Sequence, residues 1–316
     1  MSVHGRTLYL TDDVVSRPCA RPPASVYAVD PGMVTVKVGS DEHKRLFCRE
    51  FVRTHHAYRP NALAWPELDA GSLARLRGLP FWGEAVGSER TAAARVQAMA
   101  DAEPDPELRE AIAMQAYEEA RHAELLDVML RRYQIPFPDD PAEQPRDPEW
   151  GFVRMGYGEC FDSFFAFGLF RLASDTGFFP PPLVTVFDGV MQEEARHILF
   201  FTNWAVHRGR RLPALRRPGF AVRRALGVGL QALGRVKTAL QLRDTDEGDD
   251  FTMQVPDEIG VDVSLRGLAE TCLAENERRL GGYDERLLRP RLVPRMVRAA
   301  LRFMPGGAGE PATAKS

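Results

Sequence analysis

Two short segments of this chain nearly repeat, Tyr117-Glu118-Glu119-Ala120-Arg121-His122 and Gln192-Glu193-Glu194-Ala195-Arg196-His197, at an offset of 75 residues. In each, a glutamate precedes a histidine by three positions. On a helix, residues three apart share a face, so Glu119 with His122 can reach one metal ion and Glu194 with His197 another. A single Glu-x-x-His is common in any helix, because Glu, Ala and Arg are good helix formers. Two matched copies are far less so. The prolines repeat with them, Pro106 matching Pro181.

Both copies must lie inside helices for this chemistry to work, and the surrounding sequence provides them. Four long segments of helical composition run from about 80 to 208, separated by strong breakers. The first spans about Pro80 to Ala102 and stops at Glu103-Pro104-Asp105-Pro106. The second spans Pro106 to Tyr133 and is ended by Pro136 and Pro138. A third runs from near Pro148 to near Gly177, and a fourth from Pro180-Pro181-Pro182 to about Gly209; proline suits the first turn of a helix. Two short connections and one longer one predict two antiparallel hairpins packed together. Further helices are expected over Phe220–Leu242, Ser264–Gly281 and Val293–Phe303. Ahead of the four segments, Ser25–Val29 and Met33–Val38 around the turn Asp30-Pro31-Gly32 read as a short hairpin. Helical character then begins near Lys44 and breaks at Pro60 and Pro66. The expected organisation is an N-terminal extension (1–79), a four-helix bundle (80–210), a C-terminal helical extension (211–304) and a disordered tail (305–316).

Glu-x-x-His on two helices, joined by one Glu from each of the other two, is the arrangement of di-iron carboxylate bundles. In the third helix the partner is Glu159, set among aromatic residues and 35 residues before Glu194, with the Gly177 turn midway. Asp162, one turn further on, reads as an outer partner. In the first helix two glutamates compete. Glu84 keeps the internal repeat, 35 residues before Glu119, but falls near the helix start, where acids suit the dipole. Glu89 shares a face with Ala85, Val86, Ala92, Ala93 and Val96. Glu89 is preferred.

With these residues in place the segment 80–208 resembles the ferritin-like di-iron superfamily, which includes bacterioferritins, rubrerythrins, ribonucleotide reductase small subunits and bacterial multicomponent monooxygenases. Glu89-Arg90-Thr91-Ala92 is similar to a Glu-x-x-Ala seen in that family's first helix. The resemblance implies an all-α, ferritin-like four-helix bundle holding two iron ions (or one manganese and one iron). Glu119 and Glu194 would bridge them, His122 and His197 would each ligate one, and Glu89 and Glu159 would be terminal. Four carboxylates would cancel the charge of two ferrous ions, and oxygen with imidazole suits iron or manganese.

Other residues have plainer readings. Glu118 and Glu193 are one position off the ligand face and are expected to be exposed or paired with arginine; Arg121 and Arg196 are expected to be structural. His55 and His56 read as surface or packing residues. Phe161, Phe164, Phe165, Phe167 and Phe170 read mostly as core.

Composition narrows the function. The net charge of −3 gives no reason to expect nucleic acid, and 44% apolar with 27% charged residues is ordinary for a soluble globular protein. Cys19, Cys48, Cys160 and Cys272 form no CxxC pair, against a rubredoxin module, a zinc ribbon or a disulfide framework. No run approaches the roughly 20 apolar residues of a membrane span, and the first residues lack the pattern of a signal peptide, so a cytoplasmic protein is expected. Eleven Arg or Lys and no Asp or Glu fall between Ala195 and Arg243, followed by an acidic stretch over 244–285. The basic helix there, Arg216–Lys237, is expected to pack on the bundle with its arginines meeting the acidic stretch, in preference to peripheral membrane contact.

Within the resembling family, a radical-generating role needs a tyrosine one turn after the first histidine, where Leu126 stands. An N-oxygenase of the arylamine type carries a further histidine where this chain has Val190. More than half the chain lies outside 80–208, against a storage shell. The expectation is an oxidase or oxygenase that uses dioxygen and an external electron donor on a small organic substrate, as a small oligomer such as a homodimer. The rival is a ferroxidase or iron-binding protein without organic substrate.

Overall fold

The computed structural model describes residues 36–79, 81–137, 141–244 and 264–304. Among them there are nine α-helices, two short 3-10 turns and no strand. The expected hairpin over 25–38 lies outside the described residues except for its last three, as do the tail 305–316 and part of the acidic stretch.

Helix α1 (Asp41–Arg53) begins earlier than Lys44 because Ser40 caps it, its side chain accepting from the His43 backbone N–H, with Asp41 and Glu42 in the first turn. Helix α2 (Ala70–Gly78) is capped by Asp69. The four long helices follow: α3 (Trp82–Ala102), α4 (Pro106–Arg132), α5 (Pro148–Asp175) and α6 (Pro181–Arg211). Three of these four start with proline at the first position, and Asp105 and Asp147 cap α4 and α5 by accepting backbone N–H bonds. Between α5 and α6 the chain reverses at Gly177, whose φ of +68° is left-handed and natural to glycine. Helices α7 (Arg217–Asp244), α8 (Leu265–Leu280) and α9 (Leu292–Leu301) complete the described chain.

Helix α3 packs along α4 and α5 along α6; α3 also meets α5, and α4 meets α6. Helix α1 lies across α4 and α6, α7 on α5 and α6, and α8 on the same two. Close approaches are made at glycines. A Cβ on Gly156 would sit 2.2 Å from the Phe201 ring, and one on Gly168 2.3 Å from the Cys272 sulfur.

The apolar interior forms two clusters. One gathers Val96, Ala111, Ala116, Phe152 and Trp204; the other gathers Val86, Leu126, Met129, Phe161 and Leu183. On α3 and α4 the first and second clusters occupy different ends of the helix, with Glu89 and Glu119 with His122 between them; on α5 the same order holds about Glu159 except for Phe167, which joins the first cluster from the far end. A polar layer therefore crosses the middle of an apolar core. No helix among the described residues is long and apolar enough to cross a membrane.

Helix α7 packs on α5, as expected; most of the acidic stretch that its arginines were expected to meet lies outside the described residues. Arg223 pairs with Asp147 at 2.8 Å, and Arg235 with Asp162, both at α5. Its opposite face leaves Val222, Leu226, Leu230 and Leu233 more than half or about half exposed.

Candidate metal centre

Six side chains from four helices converge in the polar layer. Glu89, Glu119, His122 and Glu194 bring one donor atom each within 4.8 Å of one another, and Glu119, Glu159 and His197 do the same. The two groups share Glu119, and all six residues predicted from the sequence are present. Glu84 is exposed and stands apart. The internal repeat therefore loses its register in the first helix. Helix α3 starts only at Trp82, so Glu84 lies in its first turn, while Glu89 is further down on the face that meets α4.

The two carboxylates from the repeated motif each serve both histidines. Glu119 places Oε1 3.0 Å from His197 Nδ1 and Oε2 3.9 Å from His122 Nδ1. Glu194 places Oε1 3.1 Å from His122 Nδ1 and Oε2 3.8 Å from His197 Nδ1. Glu89 Oε2 lies 3.7 Å from His122 Nδ1. Donor atoms around one first-row divalent ion, at bond lengths of about 2.0–2.2 Å as for zinc, lie at most about 4.4 Å apart. The spacing suits such an ion.

The far side of each imidazole is fixed by the opposite copy of the motif. Glu193 on α6 accepts from His122 Nε2 at 2.7 Å, and Glu118 on α4 accepts from His197 Nε2 at 2.9 Å. In the neutral imidazole, donation from Nε2 leaves the Nδ1 lone pair facing the carboxylates, the tautomer that a metal ligand needs; without a metal, a proton takes that place. Both Nδ1 atoms are buried without a hydrogen bond, as is Oε1 of Glu159. Buried polar atoms seldom go unpaired, and these three point into one small space. The residues fit a metal ion.

Glu118 and Glu193 are thus not exposed, as expected from the single helix, but 0% and 4% accessible. Their pairing with arginine does occur, across the helices: Arg121 binds Glu193 at 2.5 Å and Arg196 binds Glu118. The same arginines donate to the chain after α1, Arg121 to the His56 carbonyl at 2.9 Å and Arg196 to the Thr54 carbonyl at 2.8 Å. His55 is neither a surface residue nor a ligand: its Nδ1 meets Glu118. Asp162 is not an outer partner of the site; its carboxylate is largely exposed and binds Arg235. Ser163, one residue on, donates to Glu194 at 3.4 Å. Gln115 was not anticipated. One turn before Glu119, it donates to Glu119 at 3.2 Å and to Glu159 at 3.4 Å. Its place in the repeat corresponds to Val190, which was the available signal.

Burial and repulsion set the proton affinities. Burial, reinforced by Glu119 and Glu194, pushes the Glu159 carboxyl well above its usual range, and burial raises Glu89 to about 7 against the pull of His122. Burial opposes charge on the imidazoles too, but Glu193, Glu194 and Glu89 outweigh it at His122, and Glu119 and Glu118 raise His197 to about 10. Glu119 stays at about 2, burial being overcome chiefly by the charge of His197. One cause unites these directions: four carboxylates in a dry space demand positive charge. Buried Glu/His groups of this kind can hold a metal ion.

Comparison with protein-family models, with curated proteins and with solved structures finds no match to this chain.

Proposed function

We propose that the chain is a non-haem di-iron oxidase or oxygenase built on a ferritin-like four-helix bundle, α3 to α6, and that it oxidises a small organic substrate with dioxygen. The observation that carries this reading is the pair of histidines clamped at Nε2 by Glu193 and Glu118, with unpaired Nδ1 atoms facing oxygens of both Glu119 and Glu194. Glu119 and Glu194 each offer one oxygen to either histidine, and Glu119, Glu194, Glu89 and Glu159 with the two histidines would hold the metal.

Energetics favours a chemical purpose for the layer. Burying an ion costs several kcal/mol even in a relaxed protein, and apolar side chains of the same size would serve stability as well or better. When bound, a pair of ferrous ions supplies the electrons and open positions that dioxygen chemistry needs. The protein's own groups do the rest. Glu118 and Glu193 hold the imidazole orientation, and the two apolar clusters keep bulk water away. Glu89, with 23% of its side chain open, marks the side from which small molecules reach the layer. An external donor must return the electrons.

The test is metal content per chain with Mössbauer spectroscopy, on protein loaded anaerobically with ferrous iron and then exposed to oxygen. About two irons per chain in a coupled diferric signal, lost in Glu119→Ala and His197→Ala, supports the proposal. One manganese and one iron per chain would keep the site and change its metal. Many irons per chain in a cage assembly would favour ferroxidase or storage, and a well-folded chain with no metal would end the reading.

A further inference from the structure

Outside the metal centre, the described residues line a half-open cavity of about 590 Å³ between α5, α6, α7 and the start of α9. That volume falls within the roughly 300–1,000 Å³ of small-molecule sites. Cys160 and Phe201 contribute to its wall, with Val228 and Gly229 from α7 and Leu292 and Val293 from α9. The wall is mainly apolar, and its charged residues have a common sign. Arg224 and Arg291 line it, while no Asp or Glu does among the described residues. Arg224 spends one nitrogen on the Tyr157 hydroxyl at 2.8 Å. Asn276 also lines the cavity; it is 6% exposed, and its side-chain amide has no hydrogen bond to a described residue. The first turn of α9 belongs to the same wall and has no side-chain cap, so its N–H groups add to the positive end.

We propose that this cavity is a binding site for one amphipathic anion, an apolar body with a single carboxylate or phosphate head. The apolar wall takes the body; Arg224, Arg291 and the amide of Asn276 receive the head, arginine being suited to the fork of either anion. Of the glycines of α7 whose added Cβ meets nothing, Gly219, Gly229 and Gly234, only Gly229 lines the cavity. Glycine is the poorest helix former after proline, yet it stands inside α7, and a Cβ added there would meet nothing within 4 Å. Its neighbour Gly227 has a packing reason, a Cβ there coming within 3.0 Å of Tyr157. At Gly229 what glycine leaves is open space in the cavity. The site lies on the side of α5 marked by Tyr157 and Cys160, away from the face that carries Glu159, and does not depend on the metal centre.

The test is titration of the full chain with 11-(dansylamino)undecanoic acid, read by its fluorescence. Expected are saturation at one probe per chain, displacement by dodecanoate, and no displacement by dodecyltrimethylammonium. Gly229→Phe, which fills the cavity and favours the helix, should weaken binding at least tenfold with an unlowered melting temperature, and Arg291→Glu should weaken it at least tenfold. Leu233→Ser, on the exposed face of α7, should bind as the wild type does. The proposal is overturned by non-saturable binding, by equal displacement by the cationic detergent, by unchanged binding in Gly229→Phe, or by loss in Leu233→Ser. The metal content of these variants, measured alongside, separates this result from the fate of the metal centre.

Discussion

Glu118 on α4 accepts a hydrogen bond from His197 on α6 at 2.9 Å, across 79 positions of sequence. Glu193 returns the same service to His122 at 2.7 Å. Each Glu-Glu-Ala-Arg-His copy therefore supplies one candidate ligand pair to the centre and one supporting carboxylate to the other copy. Removing the support should loosen the metal without touching a ligand. Glu118→Gln or Glu193→Gln is expected to lower metal affinity by about 10- to 100-fold, the usual scale for such partners, measured by competition with a chelator. Glu118→Ala should also destabilise the fold by about 3–5 kcal/mol, since it strands Arg196 in the interior, and denaturant titration reads this.

The competition between Glu84 and Glu89 is decided by metal binding as well. Glu89→Ala should reduce metal retained after desalting, whereas Glu84→Ala, at an exposed first turn, should leave it within error. Equal loss in the two variants would contradict the convergence of Glu89 with Glu119, His122 and Glu194.

Helix α8 is seated on α5 where Gly168 meets Cys272, with the Cys272 backbone 3.0 Å from an added Cβ. Gly168→Ala forces a backbone to move and should cost about 1–3 kcal/mol. Gly189→Ala, on the exposed face of α6 where a Cβ meets nothing within 4 Å, should instead add about 0.5–1 kcal/mol. Thermal melts of the two variants should move in opposite directions.

His207 gives a pH dependence of known sign. Burial, with the positive charge of His43, Arg211 and Lys44 around it, lowers its pKa to about 4, against a weak opposing pull from Asp41. Its ordinary value is about 6.5. Between these values the unfolded chain binds a proton there and the folded chain does not, so stability falls as pH drops from about 6.5 to about 4 and this contribution is level below that. His207→Gln should flatten that part of the profile: the gap in melting temperature between wild type and variant should change between pH 7 and pH 4.5. A constant gap would show that His207 protonates alike in both states.

Much of this was legible in the sequence for local reasons. Helices α4, α5 and α6 announce their starts by proline, and α4 and α5 add an aspartate cap, which is why their ends fall within about two residues of expectation. The start of α1 was missed by overlooking the Ser40 cap. The convergence of the candidate ligands was legible because Glu-x-x-His is a property of one helix face. Glu118 and Glu193 were misjudged because their partners are on another helix, and no single-helix pattern shows which side faces a neighbour. The duplication of the adjacent glutamate in both motifs was the clue. The choice of Ser163 over Asp162 depends on how α5 is rotated against α6, and the cavity beside α7 depends on the packing of four elements.

The crossed carboxylates have a consequence for how the protein is made. Neither hairpin owns a complete cradle: a chain emerging with only α3 and α4 has His122 but not Glu193, and Glu118 has no imidazole to hold. Contacts of such long sequence separation form late and slowly. A cradle in which both imidazoles are held at Nε2 therefore exists only once the chain through α6 has been made and folded.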